Sequence, residues 1–241
     1  MRRSGTLLLA AAACMACSLA RAADLEVLPA ESAIYVPTYF QWGGIYVGGY
    51  LGGGLGTADW AEGSPITVGN TTFLFPSVNA SMRGLLGGAQ VGANYQAEAV
   101  VFGVEADLTG MNLKGHVTDV FGNQYRSTAN WAATFTGRVG YTVDRFLAYG
   151  KIGMAVEQDS ETEIDGSGNG KAGTATRYGW TAGAGLEYGF DKHWSAVVEY
   201  DYLGFLSQLI NFNGPATANV PAQRGVRLDI HRAVVGANYR F

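Results

Sequence analysis

Seven ionisable side chains stand inside otherwise apolar or glycine-rich stretches of this 241-residue chain: Glu105, Asp107, Arg138, Lys151, Glu187, Glu199 and Asp201. Each alternates with large apolar neighbours, as Glu105 and Asp107 do with Phe102, Val104, Ala106 and Leu108. Period 2 is the period of a β-strand, so the charges share one face and the apolar residues the other. Five acids and two bases brought to one enclosed face must pair or be hydrated. The expected result is a static ion-pair plug; the functional alternative is a gate that opens a narrow pore by exchanging partners. With a rise of about 3.3 Å per residue and a strand tilt of about 40°, each residue climbs roughly 2.5 Å. Glu105, Arg138, Lys151, Glu199 and Asp201 then fall in one layer, with Arg138 placed between Glu105, Asp107 and Lys151.

Other chemistry is weaker. His193-Trp194-Ser195 offers a histidine and a serine two residues apart, but a serine hydrolase needs a base within hydrogen-bond reach and an acid to orient it. A polar turn is the simpler reading. His116 and His231, with Tyr125, are candidate haem or metal ligands carried on loops. Asp159, Glu161, Glu163 and Asp165 with Gly166, Gly168 and Asn169 form an acidic stretch whose spacing lacks the EF-hand order. No catalytic set, metal site or cofactor is expected, and the chain is not expected to be an enzyme.

The elements that must position these residues follow from the rest of the chain. Met1-Arg2-Arg3, an apolar run from Leu7 to Ala16 and the small residues Ala20 and Ala22 have the form of a secretory signal peptide at 1–22. Both cysteines, Cys14 and Cys17, lie within it, so the mature chain has no thiol chemistry. Removing Arg2, Arg3 and Arg21 from 16 basic residues leaves 13 against 20 acidic ones, a net charge of −7, which argues against a nucleic-acid partner. No apolar run is long enough for a transmembrane helix. Residues 23–42, with Pro29 and Pro37, read as a periplasmic linker.

From residue 43 to 241 the alternation recurs eight times, beginning near Gly43, Gly84, Val100, Asn130, Phe146, Tyr178, Trp194 and Arg227. Turn-rich stretches at 57–82, 114–127, 157–176 and 205–225 read as long loops, and short turns lie at Ala97-Glu98-Ala99, Asp144-Arg145 and Asp191-Lys192-His193. Tyr95, Phe102, Tyr141, Tyr188, Trp194 and Tyr239 flank the short turns or the last strand, while Trp131 and Trp180 fall about ten residues further along. Two aromatic girdles a strand's length apart belong to bilayer interfaces. A lipocalin-like barrel would turn its large apolar residues inward; here the polar face is the enclosed one. The fold class is therefore all-β: an eight-stranded antiparallel up-and-down transmembrane β-barrel. Its last strand, Ala233 to Phe241, places Tyr239 and Phe241 where they close it.

The stretches Gly44-Ile45-Tyr46-Val47-Gly48-Gly49, Gly137-Arg138-Val139-Gly140-Tyr141, Gly183-Ala184-Gly185-Leu186-Glu187-Tyr188 and Trp194-Ser195-Ala196-Val197-Val198-Glu199-Tyr200 resemble the RopB-like family of rhizobial-type outer-membrane surface antigens. That family belongs to the wider OmpA-like and porin-like small barrels. The resemblance implies residence in the outer membrane of a Gram-negative bacterium, a part in envelope integrity, and surface exposure through four long loops. The alternatives are a narrow diffusion channel and loop-borne haem or host-surface binding. Expected partners are outer-membrane lipid and lipopolysaccharide, the barrel-assembly machinery through the last strand, and a host or envelope surface.

Overall fold

The computed structural model describes residues 40–214 and 223–241. The leader at 1–22 and residues 23–39 of the linker lie outside the described residues. Ten strands follow in order: β1 (Gly44–Trp60), β2 (Gly63–Val68), β3 (Thr71–Phe75), β4 (Val78–Ala97), β5 (Val100–Thr118), β6 (Gln124–Val143), β7 (Phe146–Ile164), β8 (Gly170–Gly189), β9 (Trp194–Asn211) and β10 (Gln223–Arg240). Eight of them close a barrel in the order β1-β10-β9-β8-β7-β6-β5-β4, every pair antiparallel, while β2 and β3 form a separate hairpin.

Register fixes the barrel's dimensions. Partners followed once around, from Gly48 through Gln90, Asp107, Thr134, Ala155, Gly179, Phe205 and Leu228, return to β1 at Ala58, ten residues further on. A stagger of this size on eight strands tilts them by about 40° and leaves a lumen that side chains fill.

The alternation sorts the chain as its sequence implies. Ile45, Leu51, Leu85, Leu108, Phe135, Ile152, Leu186 and Val198 are exposed on the outer face, and the residues between them are buried within. Tyr95, Phe102, Tyr141, Trp180 and Trp194 stand exposed on the same outer face, with Trp131, Tyr188 and Tyr239 half-buried beside neighbours. Trp131 is ten residues above Tyr141 on β6 and Trp180 eight above Tyr188 on β8. At about 2.5 Å of height per residue, the two rings are roughly 20 to 25 Å apart, the height of an outer-membrane apolar band.

The long loops are corrected. Strands of 17 to 20 residues are about twice what the bilayer requires, so the barrel continues well above the upper ring. The stretch 57–82 is strand ends plus the β2–β3 hairpin, turning at Gly69-Asn70, and 114–127 and 157–176 shrink to five-residue turns at 119–123 and 165–169. Both turns are built alike. Asp119 accepts from the backbone N–H of Phe121 and Asn123, Asp165 from that of Ser167 and Asn169, and Gly122 and Gly168 take φ of 85° and 86°. What holds the extension together is an apolar interior of Trp60, Met82, Leu113, Tyr125, Phe205, Ile210, Phe212 and Leu228.

Candidate functional site

The lumen at membrane height holds all seven ionisable residues singled out above, each at most 5% exposed. They are joined in a ladder rather than a layer. Arg240 reaches Glu187 at 3.4 Å, and Arg138 lies 3.7 Å from Glu187 and 3.4 Å from Glu105. Lys151 is 3.1 Å from Glu105 and 3.4 Å from Asp201, and it also pairs with Glu199. Arg232 completes the chain, at 2.8 Å from Asp201 and 3.1 Å from Asp107.

Four cations thus interleave with five carboxylates. Asp107, on the strand beside Arg138, takes as its cation Arg232, which crosses the barrel from β10. Arg232 and Arg240 are the members that sequence reasoning left out. Their signal was present, since both share the inner face of β10 with Val234, Gly236 and Asn238.

Tyrosines add hydrogen bonds to three of these carboxylates. Tyr46 donates to Glu105 at 2.6 Å, Tyr149 to Glu199 at 2.6 Å, and Tyr50 to Asp107 at 2.9 Å. The Arg138 guanidinium is held between the Tyr46 and Tyr149 rings, 4.5 and 4.9 Å from their centroids. Those rings lie over Gly92 and Gly185, where a Cβ would collide with the phenol, so the glycines are what allow tyrosine into so narrow a lumen. Thr134 also donates to Asp107. A buried charge is tolerable when paired and hydrogen-bonded. Every carboxylate of the ladder lies within 4 Å of a cation, although Glu187 Oε2 and Asp201 Oδ1 accept no hydrogen bond among the described residues.

Both ends of the ladder are sealed. Below it, Trp42 is fully buried, donating its indole N–H to Thr142 at 2.9 Å with the Arg240 guanidinium 4.7 Å above its ring. Val101, Leu147, Val197 and Phe40 surround it. Phe40 and Trp42, at the end of the expected linker, therefore belong to the barrel mouth. Above the ladder, Trp60 packs on Tyr125 and Phe212 at 5.1 and 5.7 Å.

A second charged group lies in this upper region. Glu157, Asp159, Glu161 and Glu163 face inward along β7 and are fully buried. Arg177 contacts Asp159 at 2.6 Å and Glu161 at 3.8 Å, and Arg224 contacts Glu163 at 3.0 Å. The acidic stretch read as a solvated loop is thus strand; its own period-2 spacing was the clue. Glu163 lies seventeen residues up β7 from Phe146, well clear of the Trp131 ring, and burial pushes its carboxyl up to about 7.

The remaining candidates do not assemble. Ser195 points into the lumen and donates to Glu187 at 2.5 Å, whereas the His193 ring stacks on Tyr239, 5.6 Å away on the outer side. Tyr125 is buried inside while His116 and His231 face outward, so the three cannot meet at one iron. His231 instead pairs with the Tyr200 hydroxyl through Nδ1 at 2.6 Å. Among the described residues no group of three or more His, Cys, Asp or Glu is arranged to hold a metal ion.

The chain is 27% identical over 253 residues to the 31 kDa outer-membrane immunogenic protein of Brucella melitensis, spanning 98% of this chain and 99% of that protein. It is 31% identical over 145 residues to the 22 kDa outer membrane protein of Rhizobium leguminosarum bv. viciae, spanning 59% and 64%. Among solved structures it is similar to the outer membrane protein OprG from Pseudomonas aeruginosa, with a TM-score of 0.49 at 14% identity over 83% of this chain and 96% of that one. The Brucella and Rhizobium relatives carry the rhizobial-type surface-antigen resemblance, and the localisation is the cell outer membrane. The outer membrane protein beta-barrel domain model matches residues 8–241, and the chain belongs to that family.

Proposed function

We propose that this protein is a non-conducting, non-catalytic structural barrel that ties its strands together through the membrane and presents a rigid extension at the cell surface. The observation that carries this reading is the filled lumen: a continuous ladder from Arg240 to Arg232, with Trp42 below and the Trp60, Tyr125 and Phe212 cluster above. An ion crossing it must displace cations that each bridge at least two carboxylates, apart from Arg240 at the lower end. This favours the plug over the channel. The Brucella relatives are outer-membrane immunogenic proteins, which supports surface exposure. The tips at 119–123 and 165–169 are where a host or envelope partner would meet the chain first. The β10 strand, with Phe241 directly after it, is the segment we expect the assembly machinery to engage. Single-channel recording in planar bilayers tests the plug: background current is expected, and a reproducible open state in the parent protein would replace this reading with the channel.

A further inference from the structure

The outer face of β4, β5 and β6 carries exposed cations without a carboxylate partner among the described residues. Arg83 on β4 stands directly opposite Lys114 on β5, and His116 on β5 opposite Arg126 on β6. All four are exposed. Like charges in directly opposed positions destabilise a sheet. The only carboxylates on these three strands, Glu105 and Asp107, point into the lumen. On the adjoining β1, Asp59 stands opposite Asn79, four residues above Arg83. Among the described residues Arg83 and Lys114 make no ion pair, in a mature chain whose net charge is negative.

Their height is informative. Arg83 is twelve residues above Tyr95 on β4, Lys114 twelve above Phe102 on β5, and Arg126 fifteen above Tyr141 on β6. At roughly 2.5 Å per residue this is about 30 Å and upward, just above the Trp131 and Trp180 ring, where outer-leaflet headgroups lie. Beneath Arg83 an apolar groove of about 500 Å³ runs down the lipid face between Leu55, Leu85, Tyr200 and Ala233. Its floor includes Gly53, where an added Cβ meets nothing nearer than 3.8 Å.

We propose that Arg83, Lys114 and Arg126, with His116, bind the phosphates of an outer-leaflet phosphorylated glycolipid, one of whose acyl chains lies in the groove under Arg83. The anion relieves the repulsion between Arg83 and Lys114, and the tail fills the depression directly below. The inference rests on the outer-membrane location and not on whether the lumen conducts. The test is native mass spectrometry of the full folded protein in detergent, titrated with bis-phosphorylated lipid A and with the same lipid stripped of phosphate. Arg83→Gln with Lys114→Gln is expected to weaken lipid A binding by ~30-fold, at roughly fivefold per cation. Arg126→Gln alone should cost ~5-fold. Gly53→Leu, which fills the groove and leaves every charge, should also weaken binding, while Lys192→Gln at a periplasmic turn should not. Heat-modifiable gel mobility confirms that each variant is folded. Millimolar inorganic phosphate that displaces lipid A fully from the parent would show a free-anion site and overturn the lipid assignment. Equal binding by parent and double variant, or equal binding of phosphate-free lipid, would overturn the site itself.

Discussion

Two charged interiors sit one above the other in this barrel, built by different rules. At membrane height four cations serve five carboxylates, each of Arg138, Lys151 and Arg232 bridging at least two, with tyrosine hydroxyls donating to Glu105, Glu199 and Asp107. From the upper ring upward two arginines serve four carboxylates, and both oxygens of Glu157, level with Trp131, have no donor among the described residues. Location explains the difference. Inside the bilayer the lumen wall is ringed by lipid, so an unpaired charge has no route to water; in the extension only a strand or a turn separates it from solvent. The lower network is therefore built to stay paired, and the upper one tolerates an excess of acid.

Breaking the lower ladder should have the largest effect. Lys151→Met removes the cation shared by Glu105, Glu199 and Asp201 and should cost about 3–5 kcal/mol, read by urea titration in lipid vesicles. If water enters instead, stability is partly kept and the variant conducts, which would turn the plug into a gate one mutation away from opening. Arg177→Met is the matching change above the membrane. Leaving Asp159 unpaired should cost about 3 kcal/mol, but locally: amide exchange along the upper ends of β7 and β8 should rise while heat-modifiable mobility persists. Global unfolding by this variant would mean that the two interiors are one cooperative unit. A finer measure is the cycle of Arg138→Ala and Glu105→Ala, for which a coupling of about 2 kcal/mol is expected. The cycle of Arg138 with Asp107 should show far less, because Asp107 belongs to Arg232.

The same comparison marks how far the sequence can be read. At membrane height every face was legible, because lipid enforces strict alternation: a residue such as Leu186 cannot trade places with Glu187 without exposing charge to hydrocarbon. The identity of the partners was not legible. Asp107 and Arg232 are 125 positions apart, and only the ten-residue stagger carries the one across to the other. Above the membrane that constraint disappears. Turn residues such as Gly63, Pro65, Gly166 and Gly168 outweighed the alternation of Glu157 to Glu163, and strands were taken for loops. The plug at Phe40 and Trp42 was hidden for another reason: a three-residue segment is too short to show a period.

The smallest effect, and the one most specific to the upper interior, is its response to pH. The Glu163 carboxyl, ordinarily at 4.5, is held at about 7 chiefly by burial, against the pull of Arg224 at 3.0 Å. A carboxyl whose pKa is raised in the folded state binds its proton more tightly there than in the unfolded chain. Its contribution to stability is fully present below pH 4.5 and is lost as pH rises through about 7. Between pH 6 and pH 8 this amounts to about 1 kcal/mol, confined to the upper ends of β7 and β10, where Glu163 and Arg224 meet. Amide exchange in those strand ends should therefore quicken between pH 6 and pH 8 beyond the intrinsic base-catalysed rise, with strand segments at membrane height as internal reference. Glu163→Gln keeps the shape, removes the titration and should flatten the excess. An unchanged profile in that variant would shift the assignment to Glu161, whose carboxyl burial also raises. A flat profile in the parent itself would mean that Arg224 keeps Glu163 charged throughout, and that the upper interior is as firmly paired as the lower one.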